Sequence, residues 1–177
     1  MNQAADSKAS QQDLDETDIA TVNAFYRREI GFLQSNNFEG WLDILDPDIH
    51  YQVFTCVTTK PGDSPGSMPG EAYYYDDNLA SLTLRTKKLR SSMAWTESPA
   101  TTRRYFLQTL DYGIEGDEIS VCSNLLVLTS RGDQQENQFC GERNDRFSRH
   151  ADGLKLLRRN VQLDKVIVVD RFLNTFF

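Results

Sequence analysis

With only two histidines in its 177 residues, His50 and His150, the sequence is poor in the chemistry of metal enzymes. An iron–sulfur cluster of mixed ligation needs two Cys and two His in short paired motifs, and no Cys here has a His two positions away. A mononuclear iron site needs two His and a carboxylate, but His50 and His150 lie far apart with no supporting motif. Cys56, Cys122 and Cys140 are too widely spaced to form a zinc-binding pair. Two of them sit in apolar strand-like runs, so all three are expected to be buried free thiols. A Gly-rich phosphate loop, a dinucleotide fingerprint and a Gly-x-Ser-x-Gly elbow are also missing. There is no basic surplus either: 26 acidic residues against 19 basic ones give a net charge of −7. That balance excludes nucleic acid as a partner and is poor for anionic membranes. No apolar run could cross a bilayer, and the first residues lack the basic and apolar parts of a signal peptide, so a cytoplasmic location is expected.

What is present reads as one soluble domain. The length suits a single core, and 39% hydrophobic with 25% charged residues is ordinary for a globular chain. Residues 1–16 are polar and rich in Gln, Ser, Ala and Asp, as in a flexible arm, which leaves 17–177 as the domain.

The periodicity places helices first and strands second. Ile19, Val22, Phe25, Tyr26, Ile30 and Leu33 recur at helical spacing and predict a helix from Thr17 to Asn36, capped by Asp15 or Thr17. A short helix is expected from Phe38 to Leu45, stopped by Asp46-Pro47-Asp48. A strand follows from Ile49 to Val57, then a Pro/Gly loop from Lys60 to Gly70. Asp76 or Asp77 is expected to cap a third helix, Leu79 to Arg90. Alternation then predicts strands at Arg103–Tyr112, Ile119–Arg131, Gln138–His150 and Leu154–Val169. This order implies an α+β domain with helices against one face of a curved antiparallel sheet.

The last two strands carry the most informative charges. If Ala151-Asp152-Gly153 closes a hairpin, Asp145 lies opposite Arg158 or Arg159. Charges surrounded by Leu156, Leu157, Val161 and Leu163 imply a covered face, with a second chain as the expected cover and a solvated sheet face as the other reading. The apolar ending, Phe172, Leu173, Phe176 and Phe177, either packs back on its own core or docks on a partner.

Taken in order, several stretches resemble the β subunits of aromatic-ring-hydroxylating dioxygenases, the small subunits of Rieske non-haem iron oxygenases. They are Phe25-Tyr26-Arg27-Arg28-Glu29, Trp41-Leu42, Asp48-Ile49-His50-Tyr51, Asp76-Asp77, Ala94-Trp95 and Thr102-Arg103-Arg104. The more specific part is Ser123-Asn124-Leu125-Leu126-Val127, then Gly141-Glu142-Arg143, Asp145, Arg158-Arg159 and Phe176-Phe177. The resemblance covers residues 17–177. Ser98-Pro99-Ala100 departs from it, since the family usually has a longer Pro-rich turn there.

The resemblance implies a cystatin-like, nuclear-transport-factor-two-like cone, with N-terminal helices packed on a strongly curved antiparallel sheet. It implies a non-catalytic structural subunit with no catalytic, cofactor-binding or metal residues of its own. The Rieske [2Fe-2S] cluster and mononuclear iron would lie in an α subunit. Electrons would come from NAD(P)H through a separate reductase, and the complex would cis-dihydroxylate an aromatic ring in aromatic catabolism. The expected partners are α subunits and further β subunits in an α3β3 hexamer. Trp95, Arg103, Arg104, Arg143, Asp145, Arg158, Arg159, Phe176 and Phe177 are the candidate subunit-contact or structural residues.

Two other readings stand beside this one. A cone-fold isomerase or dehydratase would use His50 with Asp43 or Asp48 as acid and base. Against it, His50 is also compatible with the polar face of an edge strand, and His150 with a solvent-exposed turn. A binding module without chemistry would line an apolar cavity with Tyr73, Tyr74, Tyr75 or Trp95.

Overall fold

The computed structural model describes residues 14–55, 73–96, 101–131, 135–164 and 175–177. Helix α1 spans Glu16–Gln34, with Asp15 as its cap accepting a 2.7 Å hydrogen bond from the Asp18 amide. Val22, Phe25, Tyr26 and Leu33 form its buried stripe, and Glu29 lies among them. Asn36 adopts φ 57°, a left-handed conformation that Asn tolerates and that ends the helix. Helix α2 is Phe38–Asp43, capped by Asn37.

Strand β1, Leu45–Thr55, begins earlier than alternation alone predicts. Its start is irregular, with a register shift between Leu45 and His50, because Pro47 donates no ladder hydrogen bond. Strand β2, Tyr73–Asp77, pairs with β1 and is a correction to the expected order. Asp76 and Asp77 are strand residues, and the cap of helix α3 (Leu79–Thr96) is Asn78. Asn78 Oδ1 accepts from the Ser81 amide while Ser81 Oγ accepts from the Asn78 amide, a reciprocal cap. Three acidic or amide residues in a row hid the true cap.

Strands β3 (Thr102–Glu115), β4 (Glu118–Arg131), β5 (Gln135–His150) and β6 (Gly153–Leu163) complete the sheet. Gly116 at φ 65° opens the two-residue turn between β3 and β4, a conformation suited to a hairpin with glycine first. The expected continuation of β6 to Val169, the arm before residue 14 and the 60–70 loop lie outside the described residues.

The sheet order is β2-β1-β6-β5-β4-β3. Its pairs are antiparallel except β1 with β6, which run parallel, so the sheet is mixed and not wholly antiparallel. Connections of only two or three residues force β3 to β6 to alternate in direction. The long path between β1 and β6 imposes no such rule. Register shifts at Val53/Phe54, Thr109/Asp111 and Arg146/Phe147 are bulges that bend the sheet around the helices. The inner face holds the core, and Trp41, Tyr51, Phe147 and Leu156 have no exposed surface. The thiols depart from expectation: Cys122 is half-buried and Cys140 exposed, because both fall on the outer face of their strands, and Cys56 lies outside the described residues.

Gly141 marks a close approach between β5 and β6. A Cβ there would lie 2.2 Å from the carbonyl oxygen of Gln162 in β6, a backbone atom that cannot step aside. Gly141→Ala is expected to destabilise the fold by about 1–3 kcal/mol, as overpacking does. Urea unfolding checks this, and an unchanged midpoint would refute the close approach.

Candidate functional site

The middle of the inner face is polar where a core is normally apolar. Register sets Val121, Asp145, Arg159 and Tyr51 side by side on β4, β5, β6 and β1, and Ser123 beside Arg143. Helix α1 crosses above and lowers Glu29 onto them. Glu29, Arg143, Asp145 and Arg159 are all buried, with at most 2% of each exposed.

Arg159 uses every N–H it has. Nε donates to Asp145 Oδ1 at 2.7 Å and Nη2 to Asp145 Oδ2 at 2.9 Å. Nη1 and Nη2 donate to the two oxygens of Glu29 at 2.6 and 3.0 Å. The second Nη1 proton goes to the Phe177 carbonyl at 2.8 Å. Five donors meet five acceptor contacts, which is the condition under which a guanidinium can be buried.

Arg143 plays a different part. Its Nε lies 3.1 Å from Asp145 and its Nη1 3.6 Å from Glu29, but Nε and Nη2 make no hydrogen bond. Its contribution is charge, and its guanidinium stacks 4.7 Å from the centre of the Tyr26 ring. Two arginines and two carboxylates leave the cluster neutral. Tyr26 Oη donates to Asp145 at 3.0 Å and Trp41 Nε1 to Glu29 at 3.2 Å, occupying remaining lone pairs. Burial alone would raise the Asp145 carboxyl, but the charges of Arg143 and Arg159 and the hydrogen bonds from Arg159 and Tyr26 outweigh it, so the group stays below its ordinary value. Burial, aided by the Asp145 charge, pushes the Tyr26 phenol well up.

The last two residues pack inside the cone beside the cluster. The Phe176 ring packs between Trp41 and Tyr75, with centroids 4.4 and 6.3 Å away, and Phe177 meets Phe139 edge-on at 5.3 Å. Tyrosine hydroxyls hold the main chain: Tyr75 donates to Thr175 O at 3.2 Å, Tyr105 to Phe176 O at 2.8 Å and Tyr51 to Phe177 O at 2.9 Å. Burial lifts the Tyr51 phenol to about 12. Of the two expectations for the apolar ending, packing back on its own core is the one observed for Phe176 and Phe177, while Phe172 and Leu173 lie outside the described residues.

The candidate contact residues therefore separate by location. The cover over Arg143, Asp145 and Arg159 is the chain's own α1. Arg103 is also buried, donating to Asn36 at 2.7 Å, and Phe176 and Phe177 are interior. Arg104 and Arg158 are exposed, and Trp95 lies on α3 with its side chain outside the described residues. Tyr105 was not singled out from the sequence, Glu29 and Tyr51 entered only as part of the family resemblance, and Tyr75 was named as a cavity-lining residue and not as a holder of the tail. Glu29 had a signal: a carboxylate at a core position of a helical stripe requires a buried cation opposite.

The residues of the acid–base reading do not converge. His50 sits on the outer face of β1, which is covered by β2 and is not an edge, and it pairs with Asp76 at 2.8 Å, not with Asp43 or Asp48. His150 is exposed at the strand end, where it bonds the buried Asp46 at 2.8 Å. Tyr75 belongs to the packed aromatic cluster and Tyr73 is 46% exposed, so neither lines a cavity inside the cone. Among the described residues no group of three His, Cys, Asp or Glu side chains could hold a metal ion.

Comparison with known proteins gives a consistent result. The family model "Ring hydroxylating beta subunit" matches residues 28–170. The chain is 29% identical over 163 residues to chlorobenzene dioxygenase subunit beta of Cupriavidus sp. (strain PS12), covering 88% of this chain and 87% of that one. It is 28% identical over 162 residues to biphenyl 2,3-dioxygenase subunit beta of Rhodococcus jostii (strain RHA1), with the same coverage of this chain and 87% of the relative. In fold it matches a chain of naphthalene 1,2-dioxygenase solved with indole in its active site, at TM-score 0.80 and 17% identity over 94% of this chain and 90% of that one. The beta subunit of benzoate 1,2-dioxygenase from Burkholderia mallei matches at TM-score 0.69 and 20% identity over 90% and 97%.

The cluster generates two expectations. Arg159→Met leaves Glu29 and Asp145 buried with too little positive charge, and should cost about 3–5 kcal/mol in urea unfolding. Arg28→Ala, at an exposed position on α1, should shift stability by under about 0.5 kcal/mol. Equal effects would deny the cluster its central place. Asp145 also makes stability pH-dependent. Its folded pKa lies below the ordinary 3.8, so the folded state binds the proton more weakly than the unfolded one. That stabilisation is complete above 3.8 and fades as pH falls through the folded value. The melting midpoint should therefore drop between about pH 5 and pH 2, and a flat profile would contradict it.

Proposed function

This chain belongs to the ring hydroxylating beta subunit family, and we propose that it is the small subunit of an aromatic-ring-hydroxylating dioxygenase, assembled with a larger iron-bearing α subunit. The observation that carries the assembly role is the filled cone. The space where a stand-alone enzyme of this shape would hold its substrate is taken by the Glu29–Arg143–Asp145–Arg159 cluster and by Phe176 and Phe177.

The described residues of this chain do not fit either iron group, since no three candidate ligands converge. Oxygen activation is assigned to the α subunit, which would hold the Rieske [2Fe-2S] cluster and the mononuclear iron. Electrons arrive from NAD(P)H through a separate reductase. The complex adds both atoms of dioxygen to an aromatic ring as a cis-diol. Three copies of this chain with three α subunits form the α3β3 hexamer, in the cytoplasm. No described helix is long and apolar enough to cross a membrane. The relatives named for chlorobenzene and biphenyl support an aromatic hydrocarbon as the substrate class.

Co-expression with the cognate α subunit tests the proposal. The two chains should co-elute as a hexamer, with iron and acid-labile sulfide in proportion to the α subunit. A small chain that elutes apart from an intact, iron-loaded α subunit would end this reading.

A further inference from the structure

One row of basic groups on the outer face of the sheet is not balanced. Register sets Arg146 of β5 directly opposite Arg158 of β6, and Arg158 opposite His50 of β1. Like charges side by side on one face weaken strand pairing unless something neutralises them. Arg146 is neutralised by Glu115 and Glu118, and His50 is held by Asp76 at 2.8 Å. Arg158 is exposed and, among the described residues, has no acidic partner.

The two arginines border a hollow. The bulge between Thr109 and Asp111 bends β3 here, and Gly113 sets no side chain opposite Ser120, so the sheet surface dips. The resulting cavity is about 380 Å³ in volume. That is the lower end of the range of small-ligand sites, roughly 300–1,000 Å³. Its lining is mainly polar, and Asn144 and Asn160 form part of it. Asn160 Oδ1 is buried and accepts no hydrogen bond. An orphan acceptor of this kind costs free energy until a donor reaches it. The last torsion of an Asn side chain is soft, so the amide can turn into the hollow.

The charges set the class of ligand. Asp111 and Glu115 stand on the wall with Arg146 and Arg158, so these four sum to zero, and Glu118 lies close by on Arg146. A dianion would meet this acid. A single carboxylate matches the one unneutralised guanidinium and can be held by two parallel hydrogen bonds. Asn160 lies two residues further along the same face of β6, about 6.7 Å from Arg158, and calls for a hydroxyl beside the carboxylate. Cys122 also lines the hollow. Burial and the charges of Glu142 and Asp111 push its thiol up, so it is a neutral wall and not a nucleophile.

We infer that this hollow binds a small hydroxy-carboxylate, with Arg158 taking the carboxylate and Asn160 accepting from the hydroxyl. The site belongs to the outer face of this chain and is independent of the packed interior and of the assembly role.

The test follows amide chemical shifts of the isotope-labelled full chain during titration with L-lactate, propionate and inorganic phosphate. Lactate should produce saturable shifts on β5 and β6 around Arg158 and Asn160. Propionate, which lacks only the hydroxyl, should bind at least about tenfold more weakly, because it leaves Asn160 unsatisfied. Arg158→Gln should weaken lactate by about tenfold or more, and Arg28→Gln on α1 should change nothing. Asn160→Ala should bring lactate down to the level of propionate and leave propionate where it was. A measurement without variants runs beside these: lactate should slow iodoacetamide labelling of Cys122, located by peptide mass, while Cys140, which lies outside the hollow, keeps its rate. The inference is overturned if lactate gives no saturable shift, if Arg158→Gln binds it as the wild type does, or if Cys122 is labelled at an unchanged rate. Lactate and propionate binding alike, or phosphate binding as tightly as lactate, reveals an adventitious ion only and overturns it too.

Discussion

One guanidinium, that of Arg159, ties together four parts of the chain that are distant in sequence. It reaches Asp145 on the neighbouring strand, Glu29 on the first helix and the Phe177 carbonyl, and it lies 5.9 Å from the Tyr51 ring on β1. A buried cation with a vacant donor is costly, so each acceptor must arrive together with the others. Helix α1 can sit at only one height and rotation on the sheet if Glu29 is to meet this group. The tail can enter only to the depth that brings the Phe177 oxygen to it.

That constraint explains the character of the interior. A wholly apolar cone could be more stable, because buried ion pairs seldom beat hydrophobic groups of the same volume. What the cluster adds is selection among packings. A one-residue slip of β6 against β5 would carry Arg159 to the outer face and strand Asp145 inside. The neutral sum of two arginines and two carboxylates keeps the cost of burial finite, and the tyrosine and tryptophan donors around it occupy the remaining lone pairs.

The same economy bears on function. A cone of this kind can hold a ligand only if its centre is vacant, and here the centre is committed to holding the fold. Side chains that look reactive in isolation, such as Tyr51 beside Arg159, are already bonded to the main chain of the tail. With the inner face spent on stability, the outer face and the helix exteriors are left to interact. Strands β3 to β5, which carry no lysine, contrast with the charged exposed side of α1, where Arg27 and Arg28 point into water.

Much of this was legible without coordinates. Helical spacing located α1 and α2, strict alternation located β3 to β6, and Ala151-Asp152-Gly153 predicted the hairpin that sets Asp145 opposite Arg159. These are local properties, written in periods of 3.6 and 2 and in turn chemistry. The poverty in histidine and the lack of paired cysteines were also plain from composition alone. The cap at Asn78, strand β2 and the parallel pairing of β1 with β6 were not legible. Asp76, Asp77 and Asn78 are all competent caps, and a short edge strand owes its existence to its neighbour. The destination of the charges was decided only in three dimensions. Sequence placed Asp145 and Arg159 on neighbouring strands among apolar residues and left a second chain or solvent as their cover; the tertiary fold decided that Glu29 and α1 supply it, because a contact between positions 29 and 159 depends on how the chain closes and not on any local pattern.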